Sequence, residues 1–240
     1  MISYNSVTNK GDRRVNEDSI GHYMEKDIGL FIVADGLGGH GAGDIASHYV
    51  VEQYLMQYNE DYHDSAERYF SGVFTSVQAD LLDLQKQMNK DMKSTAAAVF
   101  LTDRRLSVCH IGDTRVYVFG KKKILYRTLD HSVPQMLASA GEIKEKNIRF
   151  HPDRNRLLRA LGEESAVVDY DMYSMNLSPN LDGVLICSDG FWEYVEERDM
   201  IRTLYKADNA EKWISDMEGL VLKNGKDHTK DNYSAIGIMF

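Results

Sequence analysis

Three short apolar runs each deliver an aspartate at or just past their end: Val33-Ala34-Asp35-Gly36, His110-Ile111-Gly112-Asp113 and Ile186-Cys187-Ser188-Asp189-Gly190. Two more acids abut apolar runs from the other side, Asp18 before Ile20 and Asp231 before the last run of the chain. Any one of these is ordinarily a turn residue. Several at strand ends point elsewhere. Carboxylates gathered at one place repel and cannot all stay ionised unless cations compensate them. A ligand set made only of oxygen suits hard ions such as Mg²⁺ or Mn²⁺. No HExxH, CxxC or His-rich pattern offers a zinc alternative.

The elements that must position these acids are readable. Leu30 to Ala34 is a short apolar run and reads as a buried strand. Asp35 ends it, and a glycine-dense turn follows, where backbone can approach a ligand closely. A helical stripe then begins, with Ile45, Tyr49, Val50, Tyr54 and Leu55 on one face. Gly36 to Gly41 literally matches G-x-G-x-x-G, the dinucleotide fingerprint. Asp35, however, puts an anion beside the place of the pyrophosphate. The next long segment, Ala66 to Met88, is again helical, with Phe70, Val73, Phe74, Val77, Leu81 and Leu84 on one stripe. A dinucleotide fold needs a second strand there. For this stretch alone a plain Asp-Gly turn is the default reading.

Composition narrows the classes. The 240 residues suit one large domain or two small ones, with ordinary hydrophobic (43%) and charged (27%) content. A formal net charge of -9 argues against nucleic acid or an anionic membrane as a main partner. Residues 1–14 lack the apolar core of a secretory signal, and no apolar run approaches the ~20 residues that span a bilayer. Cys109 and Cys187 each sit in an apolar run and read as buried thiols of a cytoplasmic protein.

In chain order, strands are expected over Ile2–Val7, Ile20–Tyr23 and Gly29–Ala34, and helices over Gly43–Asn59 and Ser65–Asn89. Short strands follow over Thr95–Leu101, Leu106–Ile111, Val116–Phe119 and Ile124–Leu129. Their connecting turns are so short that they predict an antiparallel meander. Val133–Gly141 reads as a helix, residues 142–155 as a charged surface insertion, Arg156–Leu161 as a helical turn and Val167–Met175 as a strand. Val184–Cys187 is a buried strand, Glu196–Lys206 and Ala210–Leu222 are helices, and Ser234–Phe240 is the last strand. The order suggests helices packed outside layered antiparallel sheets.

These residues also carry a resemblance. Arg13-Arg14-Val15-Asn16-Glu17-Asp18, Val33-Ala34-Asp35-Gly36-Leu37-Gly38-Gly39-His40, Ser94-Thr95, Ile111-Gly112-Asp113-Thr114-Arg115-Val116-Tyr117, Asp130-His131-Ser132, Leu158-Arg159-Ala160-Leu161-Gly162, Cys187-Ser188-Asp189-Gly190 and Asp231-Asn232 fall in family order over nearly the whole chain. The set resembles the type 2C metal-dependent protein phosphatases in their compact bacterial form. The resemblance implies an α+β fold, a four-layer α-β-β-α sandwich of two antiparallel sheets flanked by helices, with 1–240 as a single domain. It implies two core Mn²⁺ or Mg²⁺ ions. Asp35 would bridge them, the Gly36 carbonyl and, through water, Asp18 would serve one, and Asp189 and Asp231 the other. Asp113, with Asp189, matches a weaker third metal position. Arg13 aligns with the arginine that grips phosphate, and Arg14 is its rival if the alignment slips by one. Its loss should weaken phosphate binding while metal affinity changes little.

The implied activity is hydrolysis of phosphoserine and phosphothreonine in proteins, opposing a cognate serine/threonine kinase, by a cytoplasmic monomer. A water bridging two cations about 3.5–4 Å apart loses a proton near neutral pH and attacks phosphorus in line. A guanidinium fork holds the non-bridging oxygens. Other readings weighed are hydrolysis of small phosphoesters, a catalytically dead binding module on the same fold, and the dinucleotide oxidoreductase. Leu37 stands where many eukaryotic members have a histidine proposed as general acid. His40 lies nearby and reads as a loop-structuring residue, so the general acid stays unassigned. Ser94-Thr95-Ala96 replaces a usual Gly-Thr-Thr, and Glu193 stands where Asp is commoner. Residues 133–156 correspond to the family's variable flap, read either as a charged loop or as a substrate selector.

Overall fold

The computed structural model describes residues 2–26, 28–38, 42–58, 65–165 and 168–240. One sheet contains β1 (Ser3–Asn9), β11 (Tyr233–Met239), β10 (Gly183–Cys187), β7 (Arg115–Gly120) and β8 (Lys123–Arg127), in that order. The other contains β2 (Asp18–Glu25), β3 (Ile28–Leu37), β5 (Ala96–Leu101), β6 (Arg105–Ile111) and β9 (Asp171–Asn176), with the two-residue β4 (Lys93–Ser94) beside β3. All pairings are antiparallel.

Each sheet is buried on both faces, which is why its central strands read as unbroken apolar runs. Along β3 the side chains alternate, as strand geometry requires. Phe31 and Val33 enter a core shared with Val99, Val108, Val116, Val184 and Ile236 of both sheets. Leu30, Ile32 and Ala34 enter a second core against α1 (Gly43–Met56) and α2 (Ala66–Met88). A third core lies on the far side, where Tyr117, Leu185 and Ala235 meet Met200 of α5 (Glu197–Leu204) and Trp213, Ile214 and Met217 of α6 (Ala210–Asn224). The result is the expected helix-sheet-sheet-helix layering.

Three expectations are corrected. The strands over 96–127 are not one meander. β5–β6 and β7–β8 are hairpins, but β6 and β7 belong to different sheets. The chain crosses between sheets at Gly112, whose φ of 96° favours glycine. Residues 156–161 form no helical turn, because their backbone is used elsewhere. Leu161 exchanges both N–H···O bonds with Ser94 at 3.1 and 2.9 Å, and the Leu158 N–H donates to the His131 carbonyl at 2.8 Å. The strand expected from Val167 begins at Asp171, and Val167 lies outside the described residues.

Within 133–156, α3 (Val133–Ser139) is capped by Ser132, whose Oγ accepts from the Gln135 N–H, and a 3-10 helix spans Glu145–Phe150. Among the described residues no helix is long and apolar enough to cross a membrane.

Candidate metal and phosphate site

The ends of five elements meet at one edge of the sandwich. Asp18 opens β2 and stands directly opposite Asp35 of β3 in the strand register. Asp113 lies in the crossing from β6 to β7. Asp189 opens a single turn of helix, α4 (Asp189–Trp192), just past β10, and Asp231 immediately precedes β11. Asp35 feels the charges of Asp18, Asp189, Asp113 and Asp231, so all five acids named from the sequence converge.

Their environment disfavours ionisation. Burial pushes the Asp35 carboxyl well above the usual range, and the other four aspartates push it further. Asp113 is raised well above it too, by burial, Asp189 and Asp130. Burial lifts Asp18 to about 7 against the opposing hydrogen bond from Ser188. Burial and the charge of Asp231 lift Asp189 to about 6. Asp18 is buried, its Oδ2 accepts from Ser188 Oγ at 2.7 Å, and its Oδ1 has no hydrogen-bond partner among the described residues.

Backbone locks hold the acids in place. The Asp35 N–H donates to Thr95 Oγ1 at 2.9 Å, and the Asp35 carbonyl accepts from the Thr95 N–H at 2.8 Å and from Ser94 Oγ at 3.2 Å. Ser94 thus supplies a hydroxyl to this lock. The Gly36 N–H donates to the Glu17 carbonyl at 3.0 Å. A Cβ on Gly36 would lie 2.0 Å from the Gly43 carbonyl oxygen, so only glycine fits there. Asn232 staples the Arg13 loop to the Asp231 strand. Its Nδ2 donates to the carbonyls of Lys10 and Val15 at 2.8 and 2.9 Å, and its Oδ1 accepts from the Glu17 N–H at 2.8 Å.

Arg13 reaches the cluster. Its Nε and Nη2 donate to the two carboxylate oxygens of Asp231 at 2.8 and 2.7 Å. Arg14 is exposed and, among the described residues, makes no ion pair. His40 lies outside the described residues.

The profile of the family described as protein phosphatase 2C matches residues 9–219. The serine/threonine phosphatase stp of Listeria monocytogenes is 32% identical over 195 residues, covering 78% of this chain and 77% of that protein. The crystal structure of the serine/threonine phosphatase Stp1 from Staphylococcus aureus superposes with a TM-score of 0.88 at 26% identity, covering 100% of this chain and 95% of that one. The chain belongs to the protein phosphatase 2C family. A second similar fold, at TM-score 0.84 and 21% identity over 99% of this chain and 97% of that one, is the catalytic domain of the phosphatase PstP in complex with two manganese ions.

The residues of this family member fit hard divalent cations. The donors are carboxylates, four of them with raised proton affinity, and one buried oxygen, Asp18 Oδ1, lacks a hydrogen-bond partner among the described residues. A second grouping, His110, His131 and Asp171, fits a cation poorly. The two imidazoles stack at 4.7 Å, so their lone pairs do not converge, and Arg159 Nη1 stands 3.4 Å from His131 Nε2.

Sequence reasoning missed the supports behind this family site. Arg115 is fully buried and grips both Asp130 oxygens at 2.7 Å, with its guanidinium 3.5 Å from the centre of the Trp192 ring. Trp192 Nε1 in turn donates to the Asp113 carbonyl at 3.0 Å. Glu193 accepts from Arg154 Nε at 2.7 Å, and burial beside Asp189 raises its carboxyl to about 7. The juxtaposed motifs Thr114-Arg115 and Asp130-His131 carried that signal as blocks without a mechanism.

Proposed function

We propose that this chain removes phosphate from phosphoserine and phosphothreonine in proteins, by direct attack of water on phosphorus. The observation that carries this reading is the convergence of Asp18, Asp113, Asp189 and Asp231 on Asp35 in a partly dehydrated edge of the fold. Asp35, Asp189 and Asp231 would hold one core Mn²⁺ or Mg²⁺ ion; Asp35, the Gly36 carbonyl and, through water, Asp18 would hold the other. Asp113 and Asp189 would hold a third. Ions bound there supply charge neutralisation at the phosphoryl oxygens and lower the pKa of a coordinated water towards neutrality.

The protein's own groups bind and orient. Arg13, on an exposed loop stapled by Asn232, presents a planar fork that matches two non-bridging phosphate oxygens. The new bond joins phosphorus to the water oxygen, the bond to the Ser or Thr oxygen breaks, and the alcohol leaves with a proton. Buried Thr95 and Ser94 keep Asp35 from shifting as charge moves.

The finer reading is of one domain over 1–240, with 133–156 as a flap beside the site, acting as a monomer in the cytoplasm on phosphoproteins made by a cognate kinase. Arg149 supports the flap assignment, because Nη1 donates to the Trp192 carbonyl at 2.8 Å and Nη2 to Glu197 at 2.8 Å. Both cysteines are buried free thiols, as suits a reducing compartment.

The test is release of phosphate from a phosphothreonine peptide. Turnover is expected with Mn²⁺, with none after chelation and recovery on re-addition. Equal turnover with and without chelator rules the proposal out.

A further inference from the structure

We infer that the groove between the 145–156 segment and helices α5 and α6 binds an acidic stretch of the phosphoprotein, a few residues from the phosphorylated side chain. This rests on the phosphatase reading above and adds to it a class of substrate sequence.

The groove has a volume of about 860 Å³ and joins three parts of the chain. The flap contributes Arg149, Phe150 and Arg154, α5 contributes Arg198 and Arg202, and α6 contributes Lys223. Five permanent cations therefore line it against three carboxylates, Glu193, Glu196 and Asp199. Arg149 is nearly buried and already paired with Glu197 at 2.8 Å, so the groove's unmatched positive charge is that of Lys223, in a protein whose net charge is -9. Each carboxylate is already matched, to Arg154 at 2.7 Å, Arg198 at 2.9 Å and Arg202 at 2.8 Å. Lys223 has no ion pair among the described residues, so its charge is unspent. The side chains of Arg198 and Arg202 are 78% and 51% exposed, and pairs so exposed are weak enough for an incoming carboxylate to share them.

The shape suits a peptide better than a bare ion. Phe150, which is 76% exposed, Tyr194 and Leu220 also line the groove and give it apolar surface beside the cations. A peptide can lay an apolar side chain there while its carboxylates meet the arginines and Lys223. The groove also adjoins the metal and phosphate site. Glu193 of the groove directly follows the α4 turn that Asp189 opens, and its N–H donates to the Asp189 carbonyl at 2.9 Å, so the groove borders that site. An extended peptide advances roughly 3.3–3.6 Å per residue, so a groove bordering the site is within reach of positions a few residues from the phosphate.

The experiment compares kcat/KM of the Mn²⁺-loaded protein on phosphothreonine peptides of one length. Their flanking residues are Glu, Ala or Lys on either side, and para-nitrophenyl phosphate serves as the flank-free substrate. Glu-flanked peptides are expected to exceed Ala-flanked ones roughly five- to tenfold, through KM, as a few exposed charge contacts allow, and Lys-flanked ones to fall below both. Added NaCl should shrink the difference. R198E and K223E, both outside the metal and phosphate machinery, should each reduce or invert the preference and leave para-nitrophenyl phosphate turnover unchanged. Equal rates on all three peptides, with para-nitrophenyl phosphate turned over normally, would overturn the inference. So would a preference that survives both charge reversals. Failure of the wild-type protein on every substrate would instead overturn the phosphatase reading, and this inference with it.

Discussion

The Arg13 guanidinium clasps the Asp231 carboxylate with two parallel hydrogen bonds, of 2.8 and 2.7 Å. The arginine aligned with phosphate binding is thus bonded to an acid aligned with metal binding. This contact bears on the sequence-based expectation that loss of Arg13 changes metal affinity little, and a binding measurement decides it. A cation held by Asp231 would share these carboxylate oxygens with Arg13, and a fork freed from them would be available to phosphate.

Arg13→Ala should therefore have two effects. Loss of charge-assisted bonds to phosphate should lower kcat/KM roughly 10- to 100-fold. Mn²⁺ affinity, measured by calorimetry, should hold or tighten, because a positive neighbour of Asp231 is gone. Clear weakening of Mn²⁺ binding would mean that Arg13 positions Asp231 for the ion instead. A defect in Arg14→Ala without one in Arg13→Ala would assign phosphate to Arg14.

Asp35→Asn separates function from stability. The carboxylate proposed to serve two ions is lost, so turnover should fall at least about 100-fold. The same change removes one charge from a crowd of five acids, so the chelated variant should melt above the chelated wild type. Wild-type turnover in a variant with an unchanged circular dichroism spectrum would sink the bimetal arrangement.

Much of this architecture was legible because the chain is locally consistent. The apolar runs of β3, β5, β6, β7 and β10 are buried on both faces and announce themselves. The acids at their ends were legible for the same reason, since a charged residue interrupting such a run is conspicuous. The crossing at Gly112 was not legible, because a three-residue turn between apolar runs looks alike whether it joins one sheet or two. Nor was the extended course of Leu157 to Leu161, which depends on Ser94 and Ser132, residues distant in sequence. The Arg13–Asp231 clasp spans 218 residues and has no local signature.

The acid cluster sets a pH dependence. Burial is the main cause that holds Asp18 at about 7 and Asp189 at about 6, while an unfolded aspartate titrates near ~3.9. Between these values the folded chain binds more protons than the unfolded one, so stability falls as pH rises. The contribution of these groups is whole below about pH 4 and is lost as pH passes through about 6 to 7. Chelator-treated protein should melt higher at pH 5 than at pH 7.5, and Asp18→Asn should flatten that slope. A higher Tm at pH 7.5 in chelator would contradict the assignment.

Added Mn²⁺ should raise Tm. An ion that binds only the folded state adds about 2.7 kcal/mol at a free concentration of 100 Kd. For a chain of this size each kcal/mol moves Tm by roughly 2–4 °C. Asp231→Asn should shrink the shift, while Lys86→Gln, on an exposed helix face, should not. An equal shift from NaCl alone would indicate general screening rather than a specific centre.

The last prediction concerns the support behind Asp113. Arg115 and Asp130 are buried almost completely, and the guanidinium also takes the Tyr117 hydroxyl at 3.0 Å as acceptor and the face of Trp192. Arg115→Met leaves Asp130 buried and unpaired, which should cost roughly 3–5 kcal/mol. Because a charge is stranded, the double variant Arg115→Met with Asp130→Leu should recover much of that loss. Activity should not recover in parallel, since the Trp192 ring, whose indole N–H holds the Asp113 carbonyl, then loses the guanidinium that packs on its face. Thermal melts and kcat/KM on one set of variants check both parts. If the double variant regains full turnover along with stability, Arg115 serves the fold alone and does not position Asp113.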